Sequence, residues 1–197
     1  MSKDCLVLGM DYQPLTLVPL SVISWEKAIG KVFKGNARVV EEYEDWTLRS
    51  PTRSIKVPSI IVLTKKRRVK HKVRLCRFNI LLRDDFTCQY CGTKYHIFDN
   101  KKLTKDHYVP KFTGGQGTWD NLITACSDCN LKKGHSTKMQ PNKKPYKPDY
   151  WELAAKTKDH PIKIKHPSWS SYLGRSEEDV ILIGKHQSLV DEEVPEN

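Results

Sequence analysis

No run of 18 apolar residues occurs anywhere in this 197-residue chain, which excludes a membrane-spanning helix as a sequence expectation. The opening MSKDCLVLGMDYQPL lacks a basic segment followed by a long apolar one, so no secretory signal peptide is expected and the cytoplasm is the expected compartment. Apolar residues are scarce overall, at 38%, which calls for a modest core under a polar surface. Acidic residues are scarce too: 23 Asp and Glu face 34 Lys and Arg, for a net charge of +11. No internal repeat stands out beyond two similar cysteine pairs. The length fits one domain, or one domain with a small appendage.

The excess positive charge is local. Residues 1–64 hold 8 Lys and Arg against 7 Asp and Glu, residues 65–174 hold 24 against 9, and residues 175–197 hold 2 against 7. The field therefore belongs to the middle of the chain, and a polyanion such as nucleic acid is the natural partner. Its densest part is Lys65, Lys66, Arg67, Arg68, Lys70, Lys72 and Arg74, seven cations in ten positions. Such a run reads either as a solvated face or as an arm that tracks phosphates without reading sequence.

What the chain has in unusual supply is cysteine in pairs. Four of six cysteines stand as Cys88-x-x-Cys91 and Cys126-x-x-Cys129, the spacing of a closed tetrahedral zinc site built from two knuckles. Cys5 and Cys76 read as ordinary thiols. Between the knuckles, Leu103 to His107 reads as a short strand and Gly114-Gly115 as a turn. Leu122 to Ala125 reads as a second strand, and a short helix opens at about Asp128. A finger of two strands and a helix is too small to bury a core alone, so zinc would hold it together.

These residues carry a resemblance. Asp106-His107-x-x-Pro110, Gly114-Gly115, Asn121-Leu122 and Cys126-x-x-Cys129-Asn130-x-x-Lys133-Gly134 resemble the HNH endonuclease family, in the branch whose ββα-metal finger is stapled by a four-cysteine zinc. Upstream, Val7 to Leu15 and Arg49 to Ile55 are similar to the front half of some phage and bacterial members, which implies a bacterial or phage-infected host cytoplasm. The resemblance implies DNA cleavage. In it, His107 is the general base, Asp106 and Asn130 hold a catalytic Mg²⁺ or Mn²⁺, and Asn121 is the middle asparagine of the motif. Lys132 and Lys133 are expected near the phosphates, and His135 is a substitute ligand or an extra phosphate contact.

The residue chemistry agrees with those roles. Asp106 is a hard oxygen ligand, and a neutral imidazole at His107 accepts a proton from water near pH 7. Adjacent residues on a strand face opposite ways, so the strand must end or bulge at this pair for both to serve one site. Asn121 is expected to tie the loop by side-chain hydrogen bonds. Taken singly, Asp106 is equally a strand-end cap, Asn121 a turn residue and Asn130 a helix N-cap. Four cysteines in two knuckles also suit a zinc-ribbon nucleic-acid-binding or regulatory protein that does not cut.

Elsewhere the pattern predicts a strand at Cys5–Met10, a helix at 24–33 capped by Ser24, strands at Ala37–Val40 and Trp46–Leu48 with a turn at Glu41-Glu42, and an edge strand at Val57–Leu63. Arg77 to Arg83 predicts a helix packing Phe78, Ile80 and Leu81. The Lys/Pro-rich 136–150 predicts an extended strap, followed by a short helix at 150–156, an apolar cluster of Trp169, Tyr172 and Leu173, a strand at Val180–Ile183, and a frayed acidic tail from Asp191. The expected fold class is α+β: a small N-terminal α/β scaffold over 1–64, a basic arm and zinc-stapled ββα-metal finger over 65–137, and an appendage over 138–197.

Overall fold

The computed structural model describes residues 4–69 and 71–182, which form two compact units. The first comprises 4–15, 20–68 and 162–182, and the second 16–19 with 69–161. Ile183, the last residue of the expected final strand, and the acidic tail from Asp191 lie outside the described residues, as does Lys70.

The first unit is built on a four-stranded sheet. β1 (Asp4–Leu8), β2 (Val22–Ser24), β3 (Ala37–Arg49) and β4 (Ser54–Leu63) lie in the order β2-β1-β4-β3. β1 runs parallel to β4, and the other pairings are antiparallel. Both faces of β1 and β4 are covered, which is why each reads as a continuous apolar run rather than an alternation. Cys5, Val7, Ile61 and Leu63 pack with Ala28 of α1 (Trp25–Phe33) on one face. Leu6, Leu8, Ile60 and Val62 pack with Ile164 and Trp169 on the other. The C-terminal segment thus joins this sheet, and the Trp169 indole donates to the Ser59 carbonyl at 3.0 Å. That segment adds β7 (Ile162–Ile164) parallel to β8 (Val180–Leu182), with Tyr172 and Leu173 packed against the same cluster as Trp169.

Three local expectations are corrected here. Residues 37–49 form one strand without a turn at Glu41-Glu42; its register against β4 shifts between Val39 and Thr47 instead, so bulges absorb the polar stretch. β4 is interior rather than at an edge. Pro58 is tolerated because it pairs with Glu42 inside that irregular register, while pairing with β1 begins only at Ile60. Ser24 stands at the start of α1 in extended conformation, but its hydroxyl makes no capping bond.

The second unit contains α2 (Arg77–Arg83), the hairpin of β5 (Leu103–His107) and β6 (Leu122–Cys126), α3 (Ser127–Lys133) and α4 (Tyr150–Lys156). Its main cluster joins Leu81, Leu82, Phe86, Cys88, Ile97, Leu103, Cys126, Leu153 and Ala154. Two cysteines of the predicted zinc set are therefore part of the packing itself. α2 is enclosed over Asn79–Arg83, whereas Phe78, expected to be packed, is 45% exposed and meets Phe86 edge-on. Residues 138–149 form no helix or strand, as Pro141, Pro145 and Pro148 require. The architecture is α+β, and the β5–β6–α3 module is compatible with a zinc-binding ββα-metal fold. Among the described residues, no helix is long and apolar enough to cross a membrane.

Candidate active site and metal centre

The four knuckle cysteines converge. The turn after α2 carries Cys88 and Cys91, closed by Gly92 N–H donating to Cys88 O at 2.9 Å with Gly92 in the left-handed region. Cys126 ends β6 and Cys129 lies one turn into α3, where its N–H points at Cys126 Sγ. The four sulfurs all lie within 4.8 Å of one another, with Cys91 and Cys126 at 4.0 Å. Zn–S bonds of about 2.3 Å in a tetrahedron require sulfurs about 3.8 Å apart, so the donor set fits a structural zinc ion. Burial pushes the Cys88 and Cys129 thiols up, whereas the Thr93 hydroxyl and N–H beside Cys91 bring it down to about 6. Of these three sulfurs, Cys91 is the readiest to ligate as a thiolate.

α3 lies against β5, and this contact assembles the second site. Thr104 and Asp106 share one face of β5, two residues apart, and Asn130 and Lys133 share one face of α3, three apart. The Asn130 amide donates to Thr104 Oγ1 at 3.1 Å, and Lys133 Nζ stands 3.2 Å from Asp106 Oδ2. Lys133 also donates to the His107 carbonyl at 2.8 Å. Lys133 was expected beside Lys132 at the phosphates; it is instead buried, turned inward by its i, i+3 relation to Asn130, while Lys132 stays exposed.

β5 ends at His107 without a bulge, in regular register, with Asp106 opposite Ile123 and His107 opposite Leu122. The His107 imidazole is half-buried. Burial holds its pKa below the ordinary imidazole value, and Lys111, Lys105 and Lys133 act in the same direction against Asp106. Asp106 is buried, and Tyr90, between the two cysteines of the first knuckle, donates its hydroxyl to Asp106 Oδ2 at 2.6 Å. Burial and then Asp106 raise the Tyr90 pKa, so the phenol is a donor at neutral pH. Nothing in the sequence pattern singles out Tyr90.

Asn121 ties the loop after His107 through its side-chain amide. Its Oδ1 accepts from Val109 N–H at 2.7 Å, and its Nδ2 donates to Val109 O at 3.1 Å and Gln116 O at 2.8 Å. The loop after His107 is thereby closed on itself, with the Gly114-Gly115 turn inside it. A Cβ built on Gly115 would lie 1.8 Å from the Val109 carbonyl oxygen and 2.9 Å from Asn121 Nδ2. Gly115→Ala is therefore expected to open the loop, costing about 1–3 kcal/mol of stability. Thermal melting checks this; a wild-type melting temperature would show that the loop accommodates the methyl group.

His135 lies beyond α3, edge-on to exposed Phe112 with ring centroids 5.2 Å apart. Lys65, Lys66, Arg67, Arg68, Lys72 and Arg74 are all exposed on a stretch without helix or strand.

Residues 5–71 match the model of the HNH endonuclease-associated N-terminal domain, and residues 88–136 match the model of the HNH endonuclease. No curated protein matches the chain. Because the second match opens on Cys88, the first sulfur of the cluster, and closes just past α3, the whole finger falls inside it, and the chain carries an HNH endonuclease domain behind an HNH endonuclease-associated N-terminal domain.

Proposed function

We propose that the protein is an endonuclease that hydrolyses DNA phosphodiester bonds with one divalent cation, Mg²⁺ or Mn²⁺, and His107 as general base. The observation that carries this reading is the packing of α3 on β5, which brings Asn130 and Lys133 against the strand of Asp106 and His107 inside the family-matched finger. Asp106 and Asn130 are oxygen donors suited to a hard cation. When bound, such a cation supplies Lewis acidity to the scissile phosphate and the leaving oxygen. His107 takes a proton from the attacking water, and Asn121 holds the loop that follows it. The exposed cations of the arm and Lys132 contact phosphates in a sequence-independent manner.

The test is relaxation of a supercoiled plasmid by wild type and by His107→Ala, with Mg²⁺ or Mn²⁺ added to zinc-loaded protein. The variant is expected to lose about 10²–10⁴-fold in rate while keeping its fold and its DNA affinity. Cutting at the wild-type rate by the variant would remove His107 from the mechanism.

One observation favours a second reading, a zinc-finger nucleic-acid-binding protein that does not cut: Lys133 already neutralises Asp106. Zinc-loaded wild type that shifts DNA but cleaves neither plasmid nor short duplexes with any divalent ion would select it.

A further inference from the structure

Tyr90 belongs to the first zinc knuckle by position and to the second site by contact. It stands two residues after Cys88 and one before Cys91, its ring is packed against the main cluster of the second unit, and its hydroxyl reaches Asp106 Oδ2. Lys133 Nζ approaches the same oxygen. Two donors of different kinds on Oδ2 leave Oδ1 as the oxygen of Asp106 with no hydrogen-bond partner among the described residues. A carboxylate held this way cannot swing about its Cβ–Cγ bond to offer both oxygens.

We propose that Tyr90 is a positioning residue for the divalent ion: through its phenol the first zinc knuckle sets the plane of Asp106, so that Oδ1 alone is presented as a ligand. This rests on the reading of Asp106 as a cation ligand. Outer partners of a ligating carboxylate fix its orientation, and their loss weakens metal affinity about 10–100-fold. The zinc cluster then has two tasks. It holds the finger together, and through the one residue between Cys88 and the exposed Cys91 whose side chain reaches Asp106, it aims the carboxylate of the neighbouring site. Lys133 is the counterpart from α3, whose own start is set by Cys126 and Cys129, so both donors to Oδ2 hang from the same four sulfurs.

The test uses the full zinc-loaded chain with Tyr90→Phe, which keeps the packed ring and removes only the hydroxyl. Mn²⁺ binding is titrated by calorimetry or by the electron paramagnetic resonance of free Mn²⁺, with zinc content and melting temperature measured on the same preparations. The Mn²⁺ dissociation constant is expected to rise about 10–100-fold with zinc content unchanged. Plasmid cleavage is expected to need correspondingly more Mn²⁺ and to approach the wild-type rate at saturation. Unchanged Mn²⁺ affinity overturns the proposal, and so does loss of zinc in the variant, which would make Tyr90 part of the fold instead. An Asp106→Ala control that binds Mn²⁺ as wild type does removes the ligand assignment and the proposal with it. Wild type that binds Mn²⁺ through Asp106 but cuts no DNA defeats the nuclease reading alone, while the affinity ratio still decides the role of Tyr90.

Discussion

Removal of zinc is expected to unfold the second unit while the sheet of the first stays protected. Two of the four sulfurs, Cys88 and Cys126, are packed among Leu81, Leu82, Phe86 and Leu103, so an ion held by them would lie at the edge of the core rather than on an outlying loop. Without it, four sulfurs within 4.8 Å of one another would be left with nothing to join them at the edge of that core. The elements they join are five-residue strands and a seven-residue helix, none of which stands alone. Zinc in such sites contributes apparent binding energies of about 10–16 kcal/mol, comparable with or larger than the total stability of a domain, about 5–15 kcal/mol. Amide hydrogen exchange of the chain treated with a strong chelator checks this. Amides of β5 and β6 should lose protection, and those of β1 and β4, whose unit contains Cys5 alone among the described cysteines, should keep it. Cys88→Ser should lose zinc and give the same pattern. Protection in β5 and β6 that survives proven loss of zinc would show that packing suffices.

Which parts of this molecule are legible in the sequence follows from how local their causes are. A zinc knuckle needs two sulfurs within one turn, so its spacing is written in adjacent residues. The strand ending at His107 and the helix after Cys126 follow from the same short stretch. The interior position of β4 is not written locally: it depends on pairing with β1, more than fifty residues away in sequence, and Pro58 points to the opposite answer. The union of Ile164 and Trp169 with the first sheet is likewise a contact across about a hundred residues, visible only once Trp169 is seen donating to Ser59. Charge is the most misleading signal. Counting cations marks residues 65–174 as the nucleic-acid face, yet Lys133 and Arg83 in that range are buried and satisfied inside the protein. Both add to the net charge without presenting it to solvent. Tyr90 was invisible for the converse reason: a tyrosine between two ligand cysteines looks like filler until its hydroxyl is located.

Arg83→Met is expected to be the most damaging substitution outside the zinc set, although nothing about Arg83 is catalytic. Arg83 is 2% exposed, and its guanidinium uses all five of its N–H groups. Nε and one Nη2 proton take the two oxygens of Asp84 at 2.8 and 2.9 Å. The remaining protons go to the carbonyls of Trp119, Tyr146 and Leu122 at 3.1, 2.8 and 2.8 Å, and the rings of Trp119 and Tyr146 lie 5.7 and 5.4 Å from its Cζ. Asp84 in turn accepts from Thr124 N–H at 2.9 Å, so one ion pair ties α2 to β6, to the residues before β6 and to the Lys/Pro-rich strap. Methionine fills part of the volume but leaves a carboxylate without its counter-ion, at about 3–5 kcal/mol, and three carbonyls without donors, at about 1–3 kcal/mol each where they stay dry. That total approaches the stability of the unit, so the variant should be unfolded in its second unit or insoluble at 37 °C. Arg83→Lys should be nearly as harmful, because one ammonium with three protons cannot serve a bidentate carboxylate and three separate carbonyls. The decisive comparison is Arg83→Met with and without Asp84→Asn. If the uncompensated charge is the main cost, neutralising it should restore part of the lost melting temperature, although Asp84→Asn alone destabilises. A double variant no more stable than Arg83→Met would place the cost in the orphaned carbonyls, and an Arg83→Met protein melting like wild type would remove the node altogether.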